Sequence, residues 1–406
     1  MKEIKGGITN VSGILTAGIN CGLKPGKKDL ALIYSKTPAT ATAVFTTNQL
    51  KGASLLLTQH HLKTSSFIQA IIINSGNANT CTGTQGLEDA KRMAQITSRE
   101  LGIFLESVLV ASTGVVGKPL PMNKMEKGIP PLIKSLSARS EDAAEAILTT
   151  DTKPKESAVE FTLSNGATAK IGGMAKGAGM ICPDLATMLS FIATDVAITQ
   201  TLLKKALLTS MNNSFNLITI DGDTSPCDMV ILLTTCLAGN DEIAEPMDII
   251  STIEDFKTFQ QALDWVCLDL AKKIVEDGEG VTKLLKIKVQ GAKTVAEAKQ
   301  MAMAVAKSQL VKCAFYGEDP NWGRIINACG YSGVEINPEK IDIYFDRELI
   351  IKNGEGIDFD LAVVKNILAQ KEILITVDLK QGSQQITVLG CDLSQENVSL
   401  NAHYTT

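Results

Sequence analysis

The chain has 406 residues, of which 45% are hydrophobic and 20% are charged, and its formal net charge is -5. This length predicts two or three domains, and the acidic balance gives no electrostatic basis for binding nucleic acid or an anionic membrane. The sequence shows no apolar run as long as a membrane span, roughly 18 residues, and its first residues (MKEIKGG) contain no apolar run of the length expected of a signal peptide. We therefore expect a cytoplasmic protein without nucleic-acid or membrane partners.

Cysteine and histidine usage argues against metal and disulfide chemistry. The nine cysteines are scattered, odd in number and never spaced as Cys-x-x-Cys, which predicts reduced thiols. Histidine occurs only at His60, His61 and His403, and the first two lie in a polar stretch that is typical of a solvated helix or loop. We expect no metal site and no histidine-based triad, so a hydrolase or transferase built on this chain needs another base.

The first third of the chain predicts strands and one helix. Segments 31–34 and 43–47 are predicted as two strands, and 69–74 is a nearly continuous apolar run typical of a strand buried on both faces. A helix is predicted over 86–101. The strand that begins at Val108 leads into Thr113-Gly114, which is either an ordinary strand end or a hydroxyl and a backbone N–H that stabilise an oxyanion.

The remainder alternates strands and helices. A hairpin is predicted across 164–166, where Asn-Gly is a strong turn signal, and 216–220 alternates like a strand. Residues 258–275 predict a long amphipathic helix. Thr294 and Glu297 have the spacing of a capping box. A change of pattern near Leu284 predicts a first domain over 1–284 and a smaller α+β domain over 285–406.

The segment 176–190 (KGAGMICPDLATMLS) combines a glycine-rich turn with the start of an apolar strand. It is not a P-loop, because no Gly-Lys-Ser/Thr follows the glycines. One interpretation is a structural turn before a core strand. The other is self-cleavage between Ala186 and Thr187, which would leave the hydroxyl of Thr187 beside its own new amine, a known form of activated nucleophile.

Seven motifs and the C-terminus resemble the ornithine acetyltransferase family of arginine biosynthesis, and they stand in the family's order over essentially the whole chain. They are 73–83 (INSGNANTCTG), 111–117 (ASTGVVG), 149–152 (TTDT), 176–189 (KGAGMICPDLATML), 221–225 (DGDTS), 277–283 (DGEGVTK), 317–324 (GEDPNWGR) and 400–406 (LNAHYTT). Leu185 stands where the family usually has methionine, a swap of similar volume.

The resemblance implies a fold and a set of site residues. The fold would be an αββα sandwich of the type found in self-processing aminopeptidases, with a smaller C-terminal α+β domain. Cleavage would give an α-chain (1–186) and a β-chain (187–406), with the amine of Thr187 as general base. Thr113 and Gly114 would form the oxyanion hole. The substrate contacts implied are Thr150, Lys176, Thr187, Glu279, Asn401 and Thr406; Thr149 and Thr152 are alternatives to Thr150.

The resemblance also implies a reaction. Thr187 would take the acetyl group from N2-acetylornithine and pass it to glutamate in a ping-pong sequence, without a cofactor or metal. It leaves open whether acetyl-CoA is a second acetyl donor, and it implies an α2β2 assembly. Two alternatives are kept: a self-cleaving aminopeptidase or amidase on the same fold, and a non-enzymatic protein that binds small molecules.

Overall fold

The computed structural model describes residues 1–182, 188–247 and 249–403. Its strands are β1 (Lys2–Glu3), β2 (Ile14–Ile19), β3 (Leu30–Phe45), β4 (Ile68–Asn77), β5 (Val108–Val115), β6 (Lys155–Thr162), β7 (Thr168–Lys176), β8 (Leu189–Thr194), β9 (Met229–Thr234), β10 (Leu284–Ala292), β11 (Asp342–Phe345), β12 (Glu348–Lys352), β13 (Glu355–Gly356), β14 (Glu372–Asp378) and β15 (Gln384–Cys391). Its α-helices are α1 (Ala53–Thr64), α2 (Gly83–Leu101), α3 (Met122–Lys134), α4 (Glu141–Ala146), α5 (Gln200–Asn212), α6 (Ile250–Glu276), α7 (Val295–Lys307), α8 (Gln309–Tyr316), α9 (Trp322–Gly330), α10 (Leu361–Leu368) and α11 (Gln395–His403).

The long strand β3 connects two sheets. Its first half pairs with β2 and β4, and β5 lies parallel to β4. Its second half pairs with β9, after which β8, β7, β6 and β1 follow in order. The pairing of β3 with β4 shifts register between Tyr34 and Ala39, in the region where the strand leaves one sheet for the other.

The two sheets pack face to face, and helices cover both outer faces. Ile71 of β4 and Phe191 of β8 belong to one buried cluster between the sheets. The opposite face of the β4 sheet packs on α2 and α3, and that of the β8 sheet packs on α5 and α6. These four layers confirm the predicted αββα sandwich.

The layering explains why β4 is apolar without alternation. Successive side chains of a strand point to opposite faces, so Ile71 and Ile73 enter the core between the sheets, whereas Ala70 and Ile72 enter the core under the helices. A strand buried on both faces has no position where a polar side chain would reach water.

The C-terminal part forms its own mixed sheet in the order β13-β12-β11-β14-β10-β15, with β10 and β14 parallel. Its core packs against α7, α9 and α10. The capping box at the start of α7 is confirmed, because Thr294 accepts from the N–H of Glu297 and the Glu297 side chain accepts from the N–H of Thr294. Leu284 and Leu389 belong to the core of the first unit, and the boundary near 284 stays a prediction.

Three sequence-based predictions are wrong. The segments predicted as separate strands, 31–34 and 43–47, fall on the single strand β3 except for 46–47, which lie beyond its end at Phe45. The strand continues past Pro38 because it changes sheets there. Residues 215–217 form a short 3₁₀ helix, and Ile218 makes only an isolated bridge to Leu389. His61 is buried in α1, with its Nδ1 2.7 Å from the carbonyl oxygen of Val108, so it is not solvated.

Several elements meet at one end of the sandwich. The parallel strands β4 and β5 end there at Asn77 and Val115, β7 ends at Lys176, and the loop after α6 passes beneath α11. In the described part of the chain, no helix has the length and apolar character to cross a membrane.

Candidate active site

A cavity of about 380 Å³ lies where these ends meet. Every predicted site residue in the described part of the chain lines it: Thr113, Gly114, Thr150, Lys176, Glu279 and Asn401. Ala186, Thr187 and Thr406 lie outside the described residues. The cavity therefore joins residues from five separate parts of the sequence, which local sequence patterns do not bring together.

The end of β5 brings Thr113 and Gly114 against the end of β4. Gly114 has a φ of +127°, and a Cβ there would lie 2.5 Å from the carbonyl carbon of Gly76 and 2.6 Å from the amide nitrogen of Asn77. Both the backbone angle and the close approach require glycine. A hydroxyl and a main-chain amide beside one cavity are the donor types that stabilise a developing oxyanion.

Lys176 is a fixed, buried cation. Only 2% of the residue is exposed, its Nζ donates to Oγ1 of Thr149 at 2.8 Å, and it lies 3.8 Å from Oδ2 of Asp151. Thr149 and Thr150 both line the cavity. Thr152 bonds instead to the carboxylate of Asp277, so the threonines of this loop that line the cavity are Thr149 and Thr150.

A buried network of ion pairs stabilises the position of Lys176. Nζ of Lys155 lies 2.6 Å from Oδ1 of Asp151 and 2.5 Å from Oδ2 of Asp277, and the side chain of Lys155 is 0% exposed. Burial alone would raise the pKa of Asp151, but the ammonium groups of Lys176 and Lys155 lower it well below its usual range. The network ties the 149–152 loop, β6 and the 277–283 loop together.

Glu279 supplies the opposite charge. Its Oε2 accepts from Nδ2 of Asn401 at 2.9 Å, and its backbone N–H donates to the carbonyl of Ala178. A Cβ on Gly179 would come within 2.7 Å of the Glu279 carboxyl group, so glycine at that position lets the carboxylate approach the chain. The carbonyl of Glu279 accepts from Nδ2 of Asn397, which joins α11 to this loop.

Asp221 holds the segment that leads to the predicted cleavage site. Its two oxygens accept from the backbone N–H groups of Met180 and Ile181 at 2.5 and 3.0 Å, and burial raises its pKa. Asp221 and Asp223 both line the cavity, and the N–H of Asp223 donates to Asp221 at 3.0 Å. Asp221 therefore stabilises the local backbone by accepting hydrogen bonds from its N–H groups.

Sequence reasoning missed several residues of this site. Asp151 and Asp277 lie inside motifs that were recognised, but nothing local indicated that they would share a lysine. Lys155 stands alone in the sequence, and one of its partners is 122 residues away. Lys307 and Lys312 also line the cavity, from the neighbouring helices α7 and α8, and their local patterns gave no signal of this.

Comparison with known proteins gives a consistent match. The profile of the ArgJ family matches residues 15–406. The arginine biosynthesis bifunctional protein ArgJ of Thermotoga neapolitana is 46% identical over 399 residues, which cover 97% of this chain and 99% of that protein. The protein of the same name from Symbiobacterium thermophilum is 44% identical over 410 residues, covering 100% of both chains.

A solved structure of ornithine acetyltransferase from Mycobacterium tuberculosis, in complex with ornithine, is 36% identical in sequence. The match covers 46% of this chain and 99% of that chain, with a TM-score of 0.43.

Proposed function

This chain belongs to the ArgJ family, and on that premise we propose that it transfers an acetyl group from N2-acetyl-L-ornithine to L-glutamate in arginine biosynthesis. The observation that carries the proposal is the pairing of Lys176 and Glu279 on one cavity. An ammonium group and a carboxylate complement the carboxylate and ammonium groups of small amino-acid substrates.

We propose Thr187 as the nucleophile of both half-reactions. Self-cleavage at Ala186/Thr187 frees the α-amine of Thr187, whose ordinary pKa near ~8 suits a general base. The hydroxyl oxygen attacks the acetyl carbon of acetylornithine while its proton passes to the amine. The bond from carbon to N2 then breaks, N2 takes the proton, and ornithine leaves.

The second half-reaction reverses the chemistry with a new amine. The α-amino group of glutamate attacks the acetyl ester, the bond to the Thr187 oxygen breaks, and that oxygen recovers a proton. Thr113 and Gly114 stabilise the oxyanion of both tetrahedral intermediates in this proposal. Transfer dominates over hydrolysis when the bound amine is held closer to the ester than water is.

Steady-state kinetics test the proposal. Varying acetylornithine at several fixed glutamate concentrations is expected to give the parallel double-reciprocal lines of a ping-pong reaction. Thr187→Ala is expected to abolish transfer, whereas Thr209→Ala, an exposed threonine of α5, serves as the matched control and keeps it. Release of free acetate without acetylglutamate would instead favour an amidase.

We further propose the finer properties that the resemblance implies. These are an α2β2 assembly, a cytoplasmic location and, where acetyl-CoA replaces acetylornithine as donor, a second acetyltransferase activity. The relatives from Thermotoga neapolitana and Symbiobacterium thermophilum are named bifunctional. Incubation with acetyl-CoA and glutamate, followed by detection of free CoA and acetylglutamate, tests the second activity, and sedimentation of the cleaved protein tests the assembly.

A further inference from the structure

A buried carboxyl group accepts a hydrogen bond from the residue that follows the predicted nucleophile, and it has one oxygen without a partner in the described part of the chain. Asp228 directly precedes β9, and only 1% of the residue is exposed. Its Oδ1 accepts from the backbone N–H of Met188 at 2.9 Å and from Oγ of Ser225 at 2.9 Å. Its Oδ2 has no hydrogen-bond partner in the described part of the chain. Burying a carboxyl oxygen without a partner is costly, which makes this oxygen a candidate for chemistry.

The position of Asp228 in the chain connects it to the cleavage site. The N–H that it accepts belongs to the peptide bond between Thr187 and Met188. Ser225 and Cys227, which shortly precede Asp228 in the sequence, both line the cavity. The carboxyl group therefore belongs to a segment that lines the cavity, and it is hydrogen-bonded to the backbone N–H that follows Thr187 in the chain.

Self-cleavage needs a different base from the one proposed for the mature enzyme. The α-amine of Thr187 exists only after the bond to Ala186 has broken, so it cannot accept the proton in the cut that creates it. No histidine lines the cavity among the described residues. Both oxygens of Asp221 hold backbone N–H groups, and Glu279 accepts from Asn401.

We propose that Asp228 is the proton acceptor of the self-cleavage step, an inference that rests on the proposed role of Thr187. The hydroxyl oxygen of Thr187 bonds to the carbonyl carbon of Ala186, and its proton passes to Oδ2 of Asp228. The bond from that carbon to the nitrogen of Thr187 breaks, and Asp228 returns the proton to the nitrogen. Water then hydrolyses the ester, which releases the Ala186 carboxyl group and restores the hydroxyl.

The surroundings of Asp228 suit this role. Burial raises its pKa well above the usual range of an aspartate, although the hydrogen bonds from Ser225 and Met188 and the charge of Lys176 oppose the rise. A carboxylate whose conjugate acid is weaker accepts a proton more readily. The two hydrogen bonds on Oδ1 fix the group and leave Oδ2 as the oxygen available for proton transfer.

Asp228→Asn tests the proposal with little change in shape. Asparagine keeps the oxygen that Met188 and Ser225 bond to, but it replaces the free oxygen with an amide nitrogen that does not accept a proton. Cleavage of freshly synthesised full-length chain, followed by intact mass, is expected to slow by about 10²–10⁴-fold, the usual range for general acid–base catalysis.

Asp255→Asn is the matched control. Asp255 is also buried, and it accepts from the backbone N–H of Ser164 at 2.7 Å and from its hydroxyl at 2.8 Å, far from the cavity in the fold. We expect this variant to cleave at the unmodified rate. Cleavage of Asp228→Asn at that same rate would overturn the proposal.

Two further measurements separate the possible causes of a block. Hydroxylamine cuts an accumulated ester. If it releases no fragments from folded Asp228→Asn, the block lies before ester formation, as proposed; rapid release of fragments would overturn the proposal.

If Asp228→Asn shows no cooperative unfolding transition, Asp228→Ala is tested with and without formate. Cleavage that increases with formate supports the proposal, and no increase overturns it. An unmodified chain that remains whole would instead reject the proposed self-processing itself.

Discussion

The two charged ends of the cavity are constructed differently. Lys176 is buried and is held by Thr149 and by a network of charges that is itself buried. Glu279 lies at the partly exposed end, and its carboxylate is held by Asn401 of the exposed helix α11. Electrostatic interactions are stronger away from water, so we expect the Lys176 end to be rigid and strong, and the Glu279 end to be weaker and more adaptable.

This difference matches the two proposed substrates. Acetylornithine and glutamate both carry an α-carboxylate, but their side chains end in groups of opposite charge. A fixed cation suits the group that they share. The cavity is also lined by the acid Glu279 and the cation Lys307, whose opposite charges suit the groups that differ. We therefore expect substitutions at the Lys176 end to affect both half-reactions, and those at the Glu279 end to affect them unequally.

The largest expected effect is on stability, from Lys155→Met. This change leaves Asp151 and Asp277 buried without their shared cation, and breaking a buried ion pair on one side typically costs about 3–5 kcal/mol. Denaturant unfolding measures the loss. Lys272→Met, which removes partly exposed pairs with Glu276 and Glu372, is the control and should cost under about 1 kcal/mol. Equal losses would mean that the network is no stronger than a surface pair.

Lys176→Met is expected to impair both half-reactions. Removing one partner of a buried, hydrogen-bonded charge pair usually costs about 2–5 kcal/mol, so kcat/KM should fall strongly and to a similar extent for acetylornithine and glutamate. Lys170→Met on the same strand, a partly buried lysine, should leave both values near those of the unmodified enzyme. A loss confined to one substrate would contradict a shared role.

Asn401→Ala should produce a smaller and unequal effect. It removes one hydrogen bond to Glu279 at the exposed end, a loss worth about 0.5–1.5 kcal/mol. Because only the Glu279 carboxylate loses a partner, KM for acetylornithine should rise more than KM for glutamate. Asn216→Ala, at a partly buried position away from the cavity, should change neither. If kcat/KM fell as much in Asn401→Ala as in Lys176→Met, the proposed difference between the two ends of the cavity would be wrong.

The pH dependence of stability gives the smallest effect. The folded-state pKa of Asp151 lies well below its ordinary value of 3.8, so its ion pairs contribute stability that is fully present above pH 3.8 and is lost as pH falls toward the folded pKa. The melting temperature should therefore drop as pH is lowered from about 5 to about 3. In Asp151→Asn the melting temperature should fall less steeply as pH is lowered. An unchanged slope of melting temperature against pH would show that Asp151 does not titrate with a lowered pKa.

The sequence predicted those parts of the fold in which neighbours along the chain decide the structure. The hairpin across 164–166 is confirmed in the pairing of β6 with β7, and the capping box of Thr294 is confirmed because both of its hydrogen bonds are local. The continuous strand β3 was missed because its course depends on two sheets that form from distant segments. His61 was misjudged because the polarity of its neighbours says nothing about the carbonyl of Val108.

The candidate site shows the same contrast between features set by local sequence and features set by distant segments. Motif resemblance named several residues that line the cavity, but Lys155 and Asp228 make their contacts with residues that no local pattern connects to them. A buried lysine is indistinguishable from a surface lysine until its partners are known. For the same reason, Asp228 could be singled out only after the structure showed that one of its oxygens accepts from Met188 and Ser225 and the other lacks a described partner.

The most direct test of the account is the intact mass of the purified protein under denaturing conditions, before and after addition of acetylornithine. We predict two chains that separate at Ala186/Thr187, a gain of about 42 Da on the chain that begins with Thr187 as it is acetylated, and loss of that gain when glutamate is added. A single chain of 43.3 kDa, or two chains without an acetyl adduct that glutamate removes, would contradict it.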